Sequence, residues 1–343
     1  MKSGAASHYF HAEAHALEGK LRLPFEDEIK KQAYVKLEGK LANLATKGRA
    51  KRNCFSQTAA AFRLEGILSY AGAHTQVSGQ DSEKRAGASV TLATSVVEEL
   101  NVLNVVTADR VVAQIATTHF PGEYTPEVTF LGTHFENLRI ACHQAEPYLK
   151  IDFLGARAAG RDAMPVDPGT DFMQAVEAQY KSVKARIEAL PEDDRRKMGL
   201  AGTDEWLAKK YHGFHLNYTE IEKQAHAAKK KDDQGRNSKK KDRNSRESEW
   251  GGITCSLVEN VEIKGIDRTA ADGKSVRVPP PAKTFGHVIH IPDFGNVFLA
   301  ELTVKHNSCQ LTMIRLDMGC LASGILGLAS ANVNGRGTPG SGL

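Results

Sequence analysis

The sequence predicts a mainly β protein, a sandwich-like antiparallel domain with an inserted helical segment, and three observations predict it. Between Gly66 and Asp152, Val, Ile, Thr and Leu recur in short runs broken by Gly, Pro, Asn and Asp, the pattern of a β meander. Alternation of apolar and polar residues returns from Ile253 onward. Between these stretches, from Thr170 to Leu190, the apolar period lengthens from two to between three and four. Residues 8–155 are therefore expected to form the first part of the sandwich and 252–335 its second part, in one sheet system. Residues 165–228 form the helical insertion and 229–249 a basic, mobile loop.

Ser7 to Leu23 alternates as one strand, or as an antiparallel pair turning near Glu18-Gly19, and Pro24 ends it. Ile29 to Leu37 is a second candidate strand, with a helix as competitor because Lys, Glu and Leu are good helix formers. The basic, irregular stretch from Gly39 to Ser56 is expected to be a loop, and Ala61 to Tyr70 leads into the meander. Inside the meander, Val105 to Thr117 places Val106, Ala108, Arg110, Val112 and Gln114 on one strand face. The other face carries Val105, Thr107, Asp109, Val111, Ala113 and Ile115, so the strand is expected to be covered on one side.

Thr170 or Asp171 caps a helix whose stripe is Phe172, Val176, Tyr180, Val183, Ile187 and Leu190, and Pro191 stops it. A second helix is expected from Glu192 to Tyr211, weakened by Gly199 and Gly202, and a third from Tyr218 to Ala228. His287 to His306 predicts a hairpin turning at Pro292-Asp293-Phe294-Gly295, and Gln310 to Cys320 a further strand. The tail after Ala331 is Gly-rich. Asn101 to His119 echoes Asn296 to His306, as a duplicated β unit or two ordinary sandwich strands would.

Composition narrows the class. With 41% hydrophobic and 25% charged residues over 343, the chain has the balance of a globular protein with ample core. No apolar run approaches the ~20 residues of a transmembrane helix. The N-terminus lacks the continuous apolar region of a secretory signal, so a cytoplasmic location is expected. Five scattered cysteines, none in C-x-x-C spacing, suit reduced thiols, with Cys142 and Cys320 as small core residues. The net charge of +4 is local: Lys229 to Arg246 holds nine Lys or Arg against three Asp, a net +6 that leaves the rest near −2.

Candidate chemistry is sparse. His11, Glu13 and His15 share a strand face at about 6–7 Å spacing, so two imidazoles and a carboxylate could converge on Zn, Fe or Mn. A polar, solvated strand face explains the same pattern, and the helical spacing of a metalloprotease motif is absent. His287 and His290, three apart, point to opposite sides of a strand, with Asp293 close in sequence. No G-x-S-x-G elbow, P-loop or dinucleotide-binding glycine pattern occurs, and Glu98-Glu99 and Asp193-Asp194, which point in different directions or sit in a loop, give no argument for a glycosidase pair. Lys229, Lys230, Lys231, Lys239, Lys240 and Lys241 could neutralise phosphates of a nucleic acid or an anionic surface. The run holds no aromatic residue on which a base could stack.

The runs Thr91–Val97, Val106–Ile115 and Phe135–Ile140, with Gly286–Ile289 and Leu311–Ile314, resemble an uncharacterised group of bacterial β-rich proteins. The resemblance covers both β portions but not the basic loop, and implies neither an activity nor a catalytic residue. More loosely, the chain is similar to secreted bacterial β-domains with a T-A-D-x-V strand before an F-x-N-L-x-I strand. The first functional expectation is a non-enzymatic structural protein that self-assembles into a homo-oligomer, tube or filament, from many strands, a near-neutral body and no catalytic set. The alternatives are a metal-dependent enzyme using His11, Glu13 and His15, and a nucleic-acid or anionic-surface binder using the basic loop.

Overall fold

A computed structural model describes residues 8–40, 52–82, 87–120, 126–154, 170–200, 202, 207, 253–269, 275–305, 308–319 and 322–334. The chain opens with β1 (Tyr9–Leu23), β2 (Asp27–Gln32), β3 (Val35–Lys40), β4 (Arg52–Ala59), β5 (Phe62–Leu64), β6 (Leu68–Tyr70) and β7 (Gly72–Asp81). It continues with β8 (Ser89–Val102), β9 (Val106–His119), β10 (Glu127–Thr129), β11 (His134–Glu136), β12 (Arg139–Ile140) and β13 (His143–Leu149). Helices α1 (Asp171–Glu188) and α2 (Glu192–Lys197) precede β14 (Ile253–Ser256), β15 (Val258–Ile263), β16 (Ile266–Thr269) and β17 (Ser275–Val278). The last strands are β18 (Lys283–Phe285), β19 (Val288–Ile291), β20 (Gly295–Val304), β21 (Ser308–Gly319) and β22 (Ser323–Asn334).

Two antiparallel sheets stack to form the core. The first runs β18-β19-β20-β21-β22-β1-β2, with β14 beside β20 and β3 beside β1. The second follows β15-β13-β12-β9-β8, with β7 and then β4 continuing beyond β8. Strands from both β portions thus share the first sheet. Strands β1, β21 and β22 lie against β7, β8 and β9. Their facing side chains include Ala12, Ala14, Ala93, Ala113 and Ala331, all fully buried. Such small residues let the sheets approach closely enough for Ser95 Oγ on β8 to donate to the His15 carbonyl of β1 at 2.9 Å. The Phe10 ring lies directly on Gly79 of β7, where a Cβ would fall 2.5 Å from Cδ1.

The alternation that announces each strand slips by one residue midway. On β21, Cys309, Leu311 and Met313 are buried, and then Ile314, Leu316 and Met318. β1 shifts between Ala16 and Leu17, and β22 and β20 shift at Ala329 and Ala300, whose φ values of 50° and 46° are left-handed. The pairs on either side are His15–Ser330, Thr312–Ser330 and Glu301–Thr312, then Leu17–Leu328, Ile314–Leu328 and Leu299–Ile314. The four slips therefore lie in line across the sheet, and such bulges bend it and increase its twist. The second sheet repeats the device at Glu99 (φ 51°) and Asp109. This corrects the simple alternation expected for β9: Val106 and Ala108 face the core, then Val111, Ala113 and Ile115.

α1 starts at Thr170, whose hydroxyl accepts from the Met173 N–H at 3.3 Å. Val183 and Ile187 pack with Phe285, Val288 and Phe298 in a second, smaller core outside the first sheet. Gln179 fixes the helix there, donating to Ser256 O at 3.0 Å and accepting from Ser256 N at 2.9 Å. The helix expected from Glu192 is short: α2 ends at Lys197, and Gly199 takes a φ of +71°. The expected third helix and the basic run lie outside the described residues.

Other expectations change as well. The supposed loop at 39–56 includes the start of β4, and 29–37 holds parts of two strands around Ala33 (φ 47°). Asn101–His119 spans a strand end, a turn and β9, whereas Asn296–Val304 lies within β20, so the echo is not a repeated unit. Cys142 is exposed in a turn at φ 69°, not a core thiol, and Cys320 lies outside the described residues.

Candidate functional site

Register places the outer face of the first sheet row by row. His15, Ser330, Thr312 and Glu301 stand directly opposite one another along β1, β22, β21 and β20, and Glu301 opposes Ser256 on β14. The adjacent row is Glu13, Asn332, Gln310, Thr303 and Thr254. Past the bend, Glu18, Gly327, Arg315 and Phe298 form the next. From these rows Glu301, Thr312, Gln310, Thr303, Glu18 and Arg315 line an open trough of about 800 Å³ bounded by β2 on one side and β14 on the other.

The trough is organised around Glu301 and Arg315. Arg315 donates from Nη2 to Oε1 at 2.7 Å and from Nε to Oε2, a two-pronged pair, and its guanidinium lies 3.8 Å from the Phe298 ring centroid. Glu301 is only 6% exposed, and Arg315 holds it in place. Around them Ser330 Oγ lies 3.2 Å from both Thr312 Oγ1 and Gln310 Nε2, and Thr254 and Thr303 hydroxyls lie 3.2 Å apart. This arrangement can exchange hydrogen bonds with a polar molecule. The sequence signal for it was Gln310 and Thr312, then Arg315 three residues on, which becomes one face only through the slip at Met313–Ile314.

The His11, Glu13 and His15 side chains do point away from buried Ala12 and Ala14. His11 Nε2 is 3.6 Å from Glu13 Oε1, and Lys36 and Lys31 lie 3.5 and 3.8 Å from the Glu13 carboxylate. His15 is buried and its Nε2 lies 3.2 Å from Glu18 Oε1, a contact that lowers the Glu18 carboxyl below its ordinary range. The second imidazole is thus directed to Glu18, while Glu13 is occupied by lysines. Among the described residues no three His, Cys, Asp or Glu side chains come together to hold a metal ion. The lysines from Lys229 to Lys241 fall outside the described residues. Between His287 and His290 the histidines separate: His287 is buried, and its pKa is lowered to about 3 by burial and then Arg315. His290 Nδ1 lies 3.1 Å from Asn296 Oδ1.

A second polar site lies inside the sandwich. The His8 and His119 rings lie 4.4 Å apart between the sheets, beside the cross-strand pair Thr91 and Thr117. His8 Nε2, both His119 ring nitrogens and both threonine hydroxyls are buried without a hydrogen-bond partner among the described residues. Burial lowers His8 to about 4, against an opposing pull from Asp81, and lowers His119 to about 3, with His8 adding to the effect.

The open strand edges differ in chemistry. β2 (DEIKKQ) and β3 (VKLEGK) carry charges, and β5 and β18 are three residues long. β4 pairs only with β7 among the described residues, yet Asn53 to Ala59 contains no charge, Pro or Gly. Phe55 opposes Val77, which is fully buried, and so takes a core-facing position, but it is 50% exposed. Sequence reasoning missed this edge because the preceding basic residues made the whole stretch look like a loop.

A family model described as a domain of unknown function (DUF8256) matches residues 8–305. No curated protein and no solved structure matches the chain.

Proposed function

We propose that this chain, which belongs to the DUF8256 family, is a non-enzymatic structural protein that self-assembles by pairing β4 edges between copies. The observation that carries the reading is the uncharged edge of β4, which among the described residues pairs only with β7. Natural sheets protect open edges with charge, Pro, bulges or brevity, and β4 has seven successive residues with none of the first two. An antiparallel pair about Ser56 would set Phe55 against Gln57 and Cys54 against Thr58, with no like charges opposed. It would also cover Phe55, which is half exposed although it opposes the buried Val77. No helix of the described residues is long and apolar enough to cross a membrane. The test is light scattering on a sizing column, with negative-stain microscopy of the peak, for wild type and Phe55→Lys. Wild type should give a dimer or larger assembly that Phe55→Lys reduces to monomer. A monomeric wild type would remove the reading.

A further inference from the structure

We infer that the trough on the outer face of the first sheet is a binding site for a neutral oligosaccharide. Positive and negative side chains alternate along its lining, Glu28 and Lys30 among them, and its central charges are paired. Arg315 is held by Glu301, Lys31 lies 4.0 Å from Glu18, and Lys20 lies 3.0 Å from Glu26. An anion would have to break these pairs, so the site does not favour a phosphate or a sulfate. A ligand rich in both donors and acceptors but without charge fits instead. Thr254, Thr303 and Thr312 offer hydroxyls that donate or accept, and Gln310 offers both halves of an amide.

Two further features select a sugar over other polar molecules. Ile325 lies in the trough lining and is 46% exposed, giving an aliphatic platform for the C–H face of a pyranose ring. Gly327, between Glu18 and Arg315 in its row, leaves the floor low at that point, so a ring can lie flat. At about 800 Å³ the trough is large enough for more than one ring.

The experiment uses saturation-transfer NMR on the full chain with cellotriose, maltotriose and tri-N-acetylchitotriose as probes, and a sulfated heparin disaccharide as the charged comparison. At least one neutral trisaccharide should receive transfer, strongest at ring C–H protons. Its affinity should fall about tenfold or more in both Thr312→Val and Ile325→Asp, a loss of ~1.4 kcal/mol or more. Ile325 is a surface position, so its variant should keep the wild-type thermal midpoint and report binding alone. Silence from all three trisaccharides would overturn the inference. So would binding unchanged in both variants, or preference for the sulfated probe. Assembly through β4 is a separate property, and the probes read the trough whether or not the protein is monomeric.

Discussion

Acidification should destabilise this fold through the imidazole pair buried between its sheets, and removing one imidazole should blunt the effect. His119 has an ordinary value of 6.5 and a folded value near 3, because burial penalises its charged form. Its folded pKa is depressed, so the unfolded chain binds the proton first as pH falls. Stability is full above about 6.5 and is lost progressively below that, until the folded group titrates near 3. At pH 5 this amounts to about 2 kcal/mol relative to pH 7.5, taking ~1.4 kcal/mol per pH unit below the unfolded value. His8, lowered to about 4, works in the same window. Asp81, the charged group that raises His8, moderates it. The perturbation is His119→Leu, which removes the titrating ring and two unpartnered buried nitrogens. At pH 7.5 the variant should match wild type within ~1 kcal/mol, since an apolar group replaces polar atoms that had no partners. Urea denaturation at pH 7.5, 6.0 and 5.0 measures both chains. Wild type should lose about 2 kcal/mol more than His119→Leu between the extremes. Equal losses in the two chains would show that the pair is solvated or partnered in solution, and would refute the reasoning.

Other substitutions test separate links in the structure. Gly79→Ala places a Cβ 2.5 Å from the Phe10 ring, so urea midpoints should report a loss of ~1–3 kcal/mol. Ser95→Ala removes the hydroxyl that bonds the His15 carbonyl across the sheets and should cost ~1 kcal/mol by the same measurement. Arg315→Ala leaves the buried Glu301 carboxylate unpaired and should cost ~3–5 kcal/mol, whereas the double variant Arg315→Met with Glu301→Leu should recover most of the loss. Thr170→Ala removes the cap of α1 and should lower stability by ~1 kcal/mol.

Much of the fold is legible because local patterns agree with the tertiary outcome. The stripe from Phe172 to Ile187, the cap at Thr170 and the stop at Pro191 need nothing beyond the segment itself. The hairpin at Pro292–Gly295 is equally local: Ile291 pairs with Gly295 across it. What escapes sequence is the phase of the strands. A left-handed residue such as Ala300 or Ala329 carries no compositional mark, because Ala, unlike Gly or Asn, rarely adopts this conformation and gives no sign of it, yet it moves every later side chain to the opposite face. Hence Arg315 and Glu301 look unrelated in sequence and meet only in the folded sheet. β22 hides for a related reason. Its Gly324, Gly327, Ala329 and Ala331 blur the apolar alternation that would mark a separate strand, although that smallness is what lets β22 lie between β1 and β21 against the second sheet. The His11, Glu13 and His15 pattern was visible, but the partners that decide its chemistry come from elsewhere: Lys36 from β3 and Lys31 from β2 by strand pairing, and Glu18 from beyond the slip in β1 itself.

The role of β4 is open to one direct measurement: amide hydrogen exchange followed residue by residue across a hundredfold range of protein concentration. If copies pair through this edge, amides between Asn53 and Ala59 should gain protection as concentration rises, while those of the charged β2 edge stay unchanged. Exchange in β4 that is independent of concentration, with a monomer mass throughout, would contradict assembly through this strand.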